Sequence, residues 1–145
     1  MAMCDGNECV ETVNHSNILV QERGRKANFK NSSRHSHKRV KVDGCLIKNG
    51  LRSDWIVTKV GVGSVIVELK GKDLDHACQQ VMATIAHADC QPWLEAKRGI
   101  LIVCSRYPSF DTSVAKAKVA ARKRGIRLSV VCDKADTEFE KVLTG

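Results

Sequence analysis

Apolar and polar residues alternate weakly near the N-terminus and sharply from residue 39 onward. Residues 1–10 read as a loose lead-in. In 11–22, Ile18, Leu19 and Val20 stand among polar neighbours, an ambiguous pattern, and 1–22 as a whole reads as an N-terminal lead-in with a helix as one option. Residues 23–38 are basic and rich in Ser and Asn, which predicts a loop or hairpin. Arg39 to Ile47 reads as a strand, and Asn49-Gly50 is a turn signal. Asp54 to Val60 is a second strand, Gly61-Val62-Gly63 a turn, and Ser64 to Lys70 a third strand rich in β-branched residues. Three strands on short connections predict an antiparallel meander.

The period then changes. Leu74, Ala77, Cys78, Val81, Met82 and Ile85 form one apolar stripe at helical spacing, and Asp73 is placed to cap it. Residues 86–98 form a connection containing Pro92 and Trp93. Gly99 to Cys104 reads as a buried strand. A second helix runs from Thr112 to Arg124, capped by Asp111, Thr112 or Ser113 and stopped by Gly125. Ile126 to Cys132 is a last strand, and 133–145 a tail or short helix. The order β-β-β-α-β-α-β predicts an α/β fold. Its mixed central sheet has an antiparallel meander at one end, a parallel strand-helix-strand unit at the other, and helices on both faces. The core spans 39–132 in one domain.

Charge adds a partner class. Arg23 to Lys41 holds eight Lys or Arg and no acid, and Thr112 to Cys132 six more, again with no acid. The two stretches carry 14 of the chain's 24 basic residues, and the net charge is +8. Basic surfaces beside an acidic pocket suit a protein that holds a polyanion together with a divalent cation, although basic loops are also commonly just solvated. No run approaches a membrane span, and no basic start precedes an apolar run, so the reading is of a cytoplasmic protein. None of the seven cysteines forms a C-x-x-C pair, and several lie in apolar runs, which predicts reduced, buried thiols. Cys4, Cys9 and His15 match known metal-site spacings poorly.

The second and third strands concentrate acids. A three-residue loop centred on Val62 pairs Asp54 with Lys70 and Ile56 with Glu68; a loop centred on Gly61 pairs Asp54 with Glu68. Either register puts Asp54, Glu68 and Lys70 on one face, with Cβ atoms about 5 Å apart for direct partners and about 7–8 Å for diagonal ones. Trp55, Val57, Val65, Val67 and Leu69 then share the opposite face. Three explanations remain open on these residues alone: a structural ion-pair cluster, an exposed sheet end, or a metal site.

Asp54 followed after a short hairpin by Val67-Glu68-Leu69-Lys70 and then a helix resembles the PD-(D/E)XK nuclease superfamily, which includes restriction enzymes, Holliday-junction resolvases and repair nucleases. The resemblance covers roughly residues 38–132. It implies a nuclease whose metal-binding acids are Asp54, here preceded by Ser53 rather than proline, and Glu68. It further implies that the Leu69 carbonyl completes the ligands and that Lys70 orients or deprotonates the attacking water. An oxygen set of this kind suits Mg²⁺ or Mn²⁺. The family also implies a polar residue on the following helix, and Gln80 is preferred to Gln79, with His76 on the same flank. For a further acid, Glu11, Glu22 and Asp43 are the alternatives. Arg34, Lys38, Arg39, Lys41 and Lys72 are the candidates for contact with nucleic acid, DNA ahead of RNA. The small size of the domain points to a homodimer or to partner subunits. The alternative function is a non-cleaving nucleic-acid-binding or interaction subunit that keeps the fold.

Overall fold

The computed structural model describes residues 8–69, 73–105 and 112–143. Cys4, Lys70, Lys72 and Asp111, singled out above, lie outside the described residues. Among the described residues are nine strands: β1 (Val10–Val13), β2 (Asn17–Glu22), β3 (Arg25–Lys30), β4 (His37–Lys41), β5 (Trp55–Lys59), β6 (Gly63–Leu69), β7 (Arg98–Cys104), β8 (Arg127–Cys132) and β9 (Lys134–Glu138). The two α-helices are α1 (Leu74–Ala86) and α2 (Thr112–Lys123); short 3₁₀ turns lie at Ala88–Trp93, after α1, and Phe139–Val142, after β9. No helix among the described residues is long and apolar enough to cross a membrane.

Six strands form the main sheet in the order β1-β4-β5-β6-β7-β8. Pairing is antiparallel from β1 through β6 and parallel from β6 through β8. The meander β4-β5-β6, then α1 and β7, is the expected α/β core. Gly61 turns the β5–β6 hairpin with a φ of 77°, a value few side chains tolerate. β6 is buried along its whole length, with Ile66 toward one layer and Val65, Val67 and Leu69 toward the other.

Both α-helices pack on the same face, which corrects the expectation of helices on each. Their stripes (Leu74, Val81, Ile85; Val114, Ala117, Ala121) share a core with Ile66, Ile100 and Leu128. The cause is strand order. β6, β7 and β8 step across the sheet in one direction, and right-handed crossovers then set successive helices on one side. The opposite face is covered by a small sheet, β2-β3-β9, together with the 3₁₀ turn carrying Phe139. This layer is built from the segments with the least decisive patterns. Within 11–22 the chain forms strands rather than a helix: the end of β1, which joins the main sheet, and β2, which joins the small one. The basic segment that follows contains β3, which pairs with β2 across the Arg23-Gly24 turn. The C-terminal segment supplies β9, parallel to β3.

Cys9 and Cys45 form a disulfide, with their Cα atoms 5.7 Å apart, so the expectation of reduced thiols throughout is corrected for this pair. Strand pairing creates the proximity, because Cys9 leads into β1 and Cys45 follows β4. Cys78, Cys90 and Cys104 keep buried thiols, as expected, and the Cys132 thiol is exposed. Burial pushes the Cys90 thiol up to about 11.

Candidate active site

The register of the β5–β6 hairpin decides how its acids meet. Trp55 pairs with Val67 and Lys59 with Gly63, so the connection is centred on Gly61. One step further along the same register sets Asp54 opposite Glu68. Ile56 and Ile66, two residues inward on each strand, face the helices, and strand alternation sends Asp54 and Glu68 to that side. The rest of the hairpin divides as expected, with Val57, Val65, Val67 and Leu69 in the other layer.

Both acids are sequestered: Asp54 is 8% exposed and Glu68 2%. One oxygen of Asp54 accepts the main-chain N–H of Leu69 at 2.8 Å. This bond ties the first strand to the main chain between the second acid and position 70. Burial is the main reason the Asp54 carboxyl is held above its ordinary range. The Leu69 N–H opposes the shift, Glu22 and Asp43 add to it through their charges, and Lys41 opposes it weakly. Of the three alternatives for a further acid, Glu22 and Asp43 thus act electrostatically on Asp54. Neither Glu11 nor Glu22 lies on a helix: Glu11 is in β1 and pairs with Arg39, and Glu22 ends β2 and meets Lys41 at 3.5 Å.

Ser53 anchors the chain immediately before Asp54. Its N–H donates to Thr84 Oγ1 at 2.8 Å, and its hydroxyl donates to the same oxygen at 3.0 Å. Thr84 Oγ1 in turn donates to the Gln80 carbonyl at 2.8 Å. Ser53 and Thr84 are fully buried, so the entry to β5 is pinned onto α1. Proline has no N–H to give and could not make the first of these bonds. Thr84 is a site residue that sequence reasoning missed. The available signal was weak: a polar residue beside the apolar stripe of α1, one turn after Gln80.

Gln80 and His76 line a cleft of about 240 Å³ with Asp43, Gly50, Leu51 and Arg52. Gln80 Nε2 donates to the Arg52 carbonyl at 2.8 Å, while its Oε1 is buried with no hydrogen-bond partner among the described residues. Gln79 is exposed and donates to Asp75, its i−4 partner on the outer helix surface. Arg52, also missed from sequence, donates to Asp43 Oδ1 at 2.7 Å and braces the cleft wall leading into Asp54.

The basic candidates do not make one surface. Strand alternation sends Lys38 toward Trp93, with Nζ 5.7 Å from the ring centroid. Arg39 and Lys41 point the other way. Arg39 donates to the Leu19 carbonyl and pairs with Glu11. Lys41 lies over Trp55 at 5.0 Å and pairs with Glu22. Arg34 is exposed on the turn between β3 and β4, in a left-handed conformation with a φ of 53°.

Among the described residues no group of three or more His, Cys, Asp or Glu side chains is close enough to hold a metal ion. The candidate set is instead two carboxylates and a main-chain carbonyl, those of Asp54, Glu68 and Leu69. Such oxygen donors suit hard divalent cations, which keep several waters and need few protein ligands. The concentration of negative charge around a carboxyl already disfavoured by burial is the setting in which a cation binds favourably. In comparisons with known proteins, no family model, no curated protein and no solved structure matches the chain.

Proposed function

We propose that the chain is a metal-dependent nuclease acting on nucleic acid, DNA ahead of RNA, with its centre at Asp54, Glu68 and Lys70. The observation that carries this reading is the β5–β6 register, which brings two buried carboxylates to one face and ties Asp54 to the main chain at Leu69. The topology around the hairpin, a meander followed by a helix and a parallel strand, supports it as well.

In this reading Asp54, Glu68 and the Leu69 carbonyl hold Mg²⁺ or Mn²⁺, which supplies charge stabilisation and a more acidic bound water. Lys70 orients the attacking water and offsets negative charge on the phosphate. Gln80, whose Oε1 has no partner among the described residues, accepts a hydrogen bond from that water or from the substrate. Ser53 and Thr84 keep Asp54 fixed against α1. Arg34 and Lys72 contact phosphates, whereas Lys38, Arg39 and Lys41 are already engaged within the molecule. Cytoplasmic location belongs to the same reading, and there the Cys9–Cys45 bond would be open to reduction. So does assembly as a homodimer or with partner subunits, since one small domain offers limited surface for docking on a duplex.

A non-cleaving nucleic-acid-binding subunit is the second reading. It is favoured by the Leu69 N–H occupying one Asp54 oxygen, a bond that also serves simply to extend the hairpin. Cleavage of mixed DNA and RNA substrates with Mg²⁺, Mn²⁺ or EDTA separates the two. Metal-dependent cutting that disappears in Glu68→Ala and Lys70→Ala supports the nuclease. Binding without cutting by the wild-type chain supports the second reading.

A further inference from the structure

The two edges of the main sheet are finished differently. β1 is four residues long, leads out of the Cys9–Cys45 disulfide, and carries the Glu11–Arg39 pair. β8 is six residues long, and from Leu128 to Cys132 it contains no charge, proline or glycine. Among the described residues no strand pairs with its outer side. Exposed edges are normally blunted by charge, proline, a bulge or brevity, because unpaired N–H and C=O groups are a template for another strand. β8 has none of these devices past Arg127.

Beside this edge runs an open cleft of about 680 Å³ between β8 and α2. Its wall on the sheet side carries Ile126, Leu128 and Val130, which belong to or pack against the helix-side core. Lys118 and Arg122 line the helix side, and Arg127 stands at the strand's start. Among the described residues neither Lys118 nor Arg122 forms an ion pair. A strand laid along β8 would direct every second side chain into this cleft, where apolar side chains meet Leu128 and Val130. Acidic side chains would meet Lys118 and Arg122. A second copy of the chain fits poorly, because residues 112–132 carry six Lys or Arg and no acid, so like charges would face each other.

We propose that the β8 edge is a docking site for an acidic, extended segment of a partner polypeptide, which adds to the main sheet as a seventh strand. Main-chain hydrogen bonds supply the pairing, and the β8–α2 cleft selects both apolar and acidic residues among the every-second positions that face it. The surface is separate from Asp54 and Glu68, so the inference stands independently of the nuclease reading.

The test uses the isotope-labelled full chain. Its probe is a capped peptide about eight residues long to match a strand, in which every second residue is in turn valine or glutamate and the residues between are threonine. The expected result is binding with slowed hydrogen exchange at β8 amides. Lys118→Glu combined with Arg122→Glu should weaken this binding by about tenfold or more, as expected for the loss of two favourable charge contacts. Lys116→Glu combined with Lys123→Glu, on the outer side of α2, should leave it nearly unchanged and controls for folding. Equal binding by the same peptide with a central proline would overturn strand addition, since charge alone would then explain it. Protection of β8 by a DNA duplex but not by the peptide would overturn the proposal in favour of a phosphate-binding groove. Concentration-dependent protection of β8 without peptide would overturn it in favour of self-association.

Discussion

Asp54 shows how one residue serves the site at a cost to the fold. Its carboxyl is buried beside Glu22 and Asp43, and its proton affinity in the folded chain exceeds the ordinary value of 3.8. The folded state therefore binds a proton more readily than the unfolded one, and stability falls as pH rises through the shifted value. Asp54→Asn removes this penalty while its amide oxygen still accepts the Leu69 N–H. At neutral pH the substitution should raise Tm by about 2–4 °C, and the gain should shrink as pH falls toward about 3.8. Under the proposed function the same variant cuts no substrate. A thermal melt beside a cleavage assay reads both, and a lower Tm would mean that the ionised carboxylate is structurally required. Thr84 is the complementary case. Thr84→Val keeps the shape and leaves the buried Ser53 N–H without a partner, a loss of about 1–3 kcal/mol. Urea denaturation measures that loss, and an unchanged midpoint would show that the Ser53–Thr84 contact is dispensable.

At the scale of elements, the hairpin and α1 were legible because each has a strong local period. Alternation in residues 54–69 separated the acidic face from the apolar one, and the stripe from Leu74 to Ile85 matched the buried side of α1. The register was readable only to two alternatives, and the left-handed Gly61 selected one. The second sheet was not legible. β2, β3 and β9 are short and carry polar residues on one face; β2 and β3 form a local hairpin, but the sheet is completed only when β3 pairs with β9 from the far end of the chain. Packing of the last 3₁₀ turn depends on Gly99 in β7, where an added Cβ would stand 1.9 Å from the Val142 carbonyl oxygen. Gly99→Ala should therefore destabilise by about 1–3 kcal/mol or more, by pushing the C-terminal segment off the sheet. The urea midpoint checks this, and a wild-type value would show that the segment adjusts freely.

Across the whole molecule, His37 joins the two layers. It lies on β4 of the main sheet and is fully buried. It packs edge-on against Phe139 at 5.6 Å, with Nδ1 bonded to the His35 carbonyl at 2.8 Å. Burial holds its pKa below 6.5; the His35 carbonyl pulls upward, Lys59 pushes it further down, and Glu140 opposes. The unfolded chain thus takes the proton first. Stability is full above about pH 6.5 and declines as pH falls below it, until the folded imidazole also titrates. Urea midpoints between pH 8 and 5 should follow this slope, and His37→Phe should flatten it. A slope unaltered in the variant would assign the pH dependence to other groups.

Local pattern along the chain sufficed for the meander, both helices, the two-faced hairpin and the pair Asp54 and Glu68, because strand and helix periods are set by backbone geometry and need no distant partner. Tertiary structure alone decided the rest. It set both helices on one face, drew the N- and C-terminal segments into a second sheet, and joined Cys9 to Cys45. It also engaged Arg39 and Lys41 internally and brought Thr84 to Ser53. Each of these depends on which residues meet after the chain turns back on itself. The competing arrangements differ in burial and pairing, not in local preference.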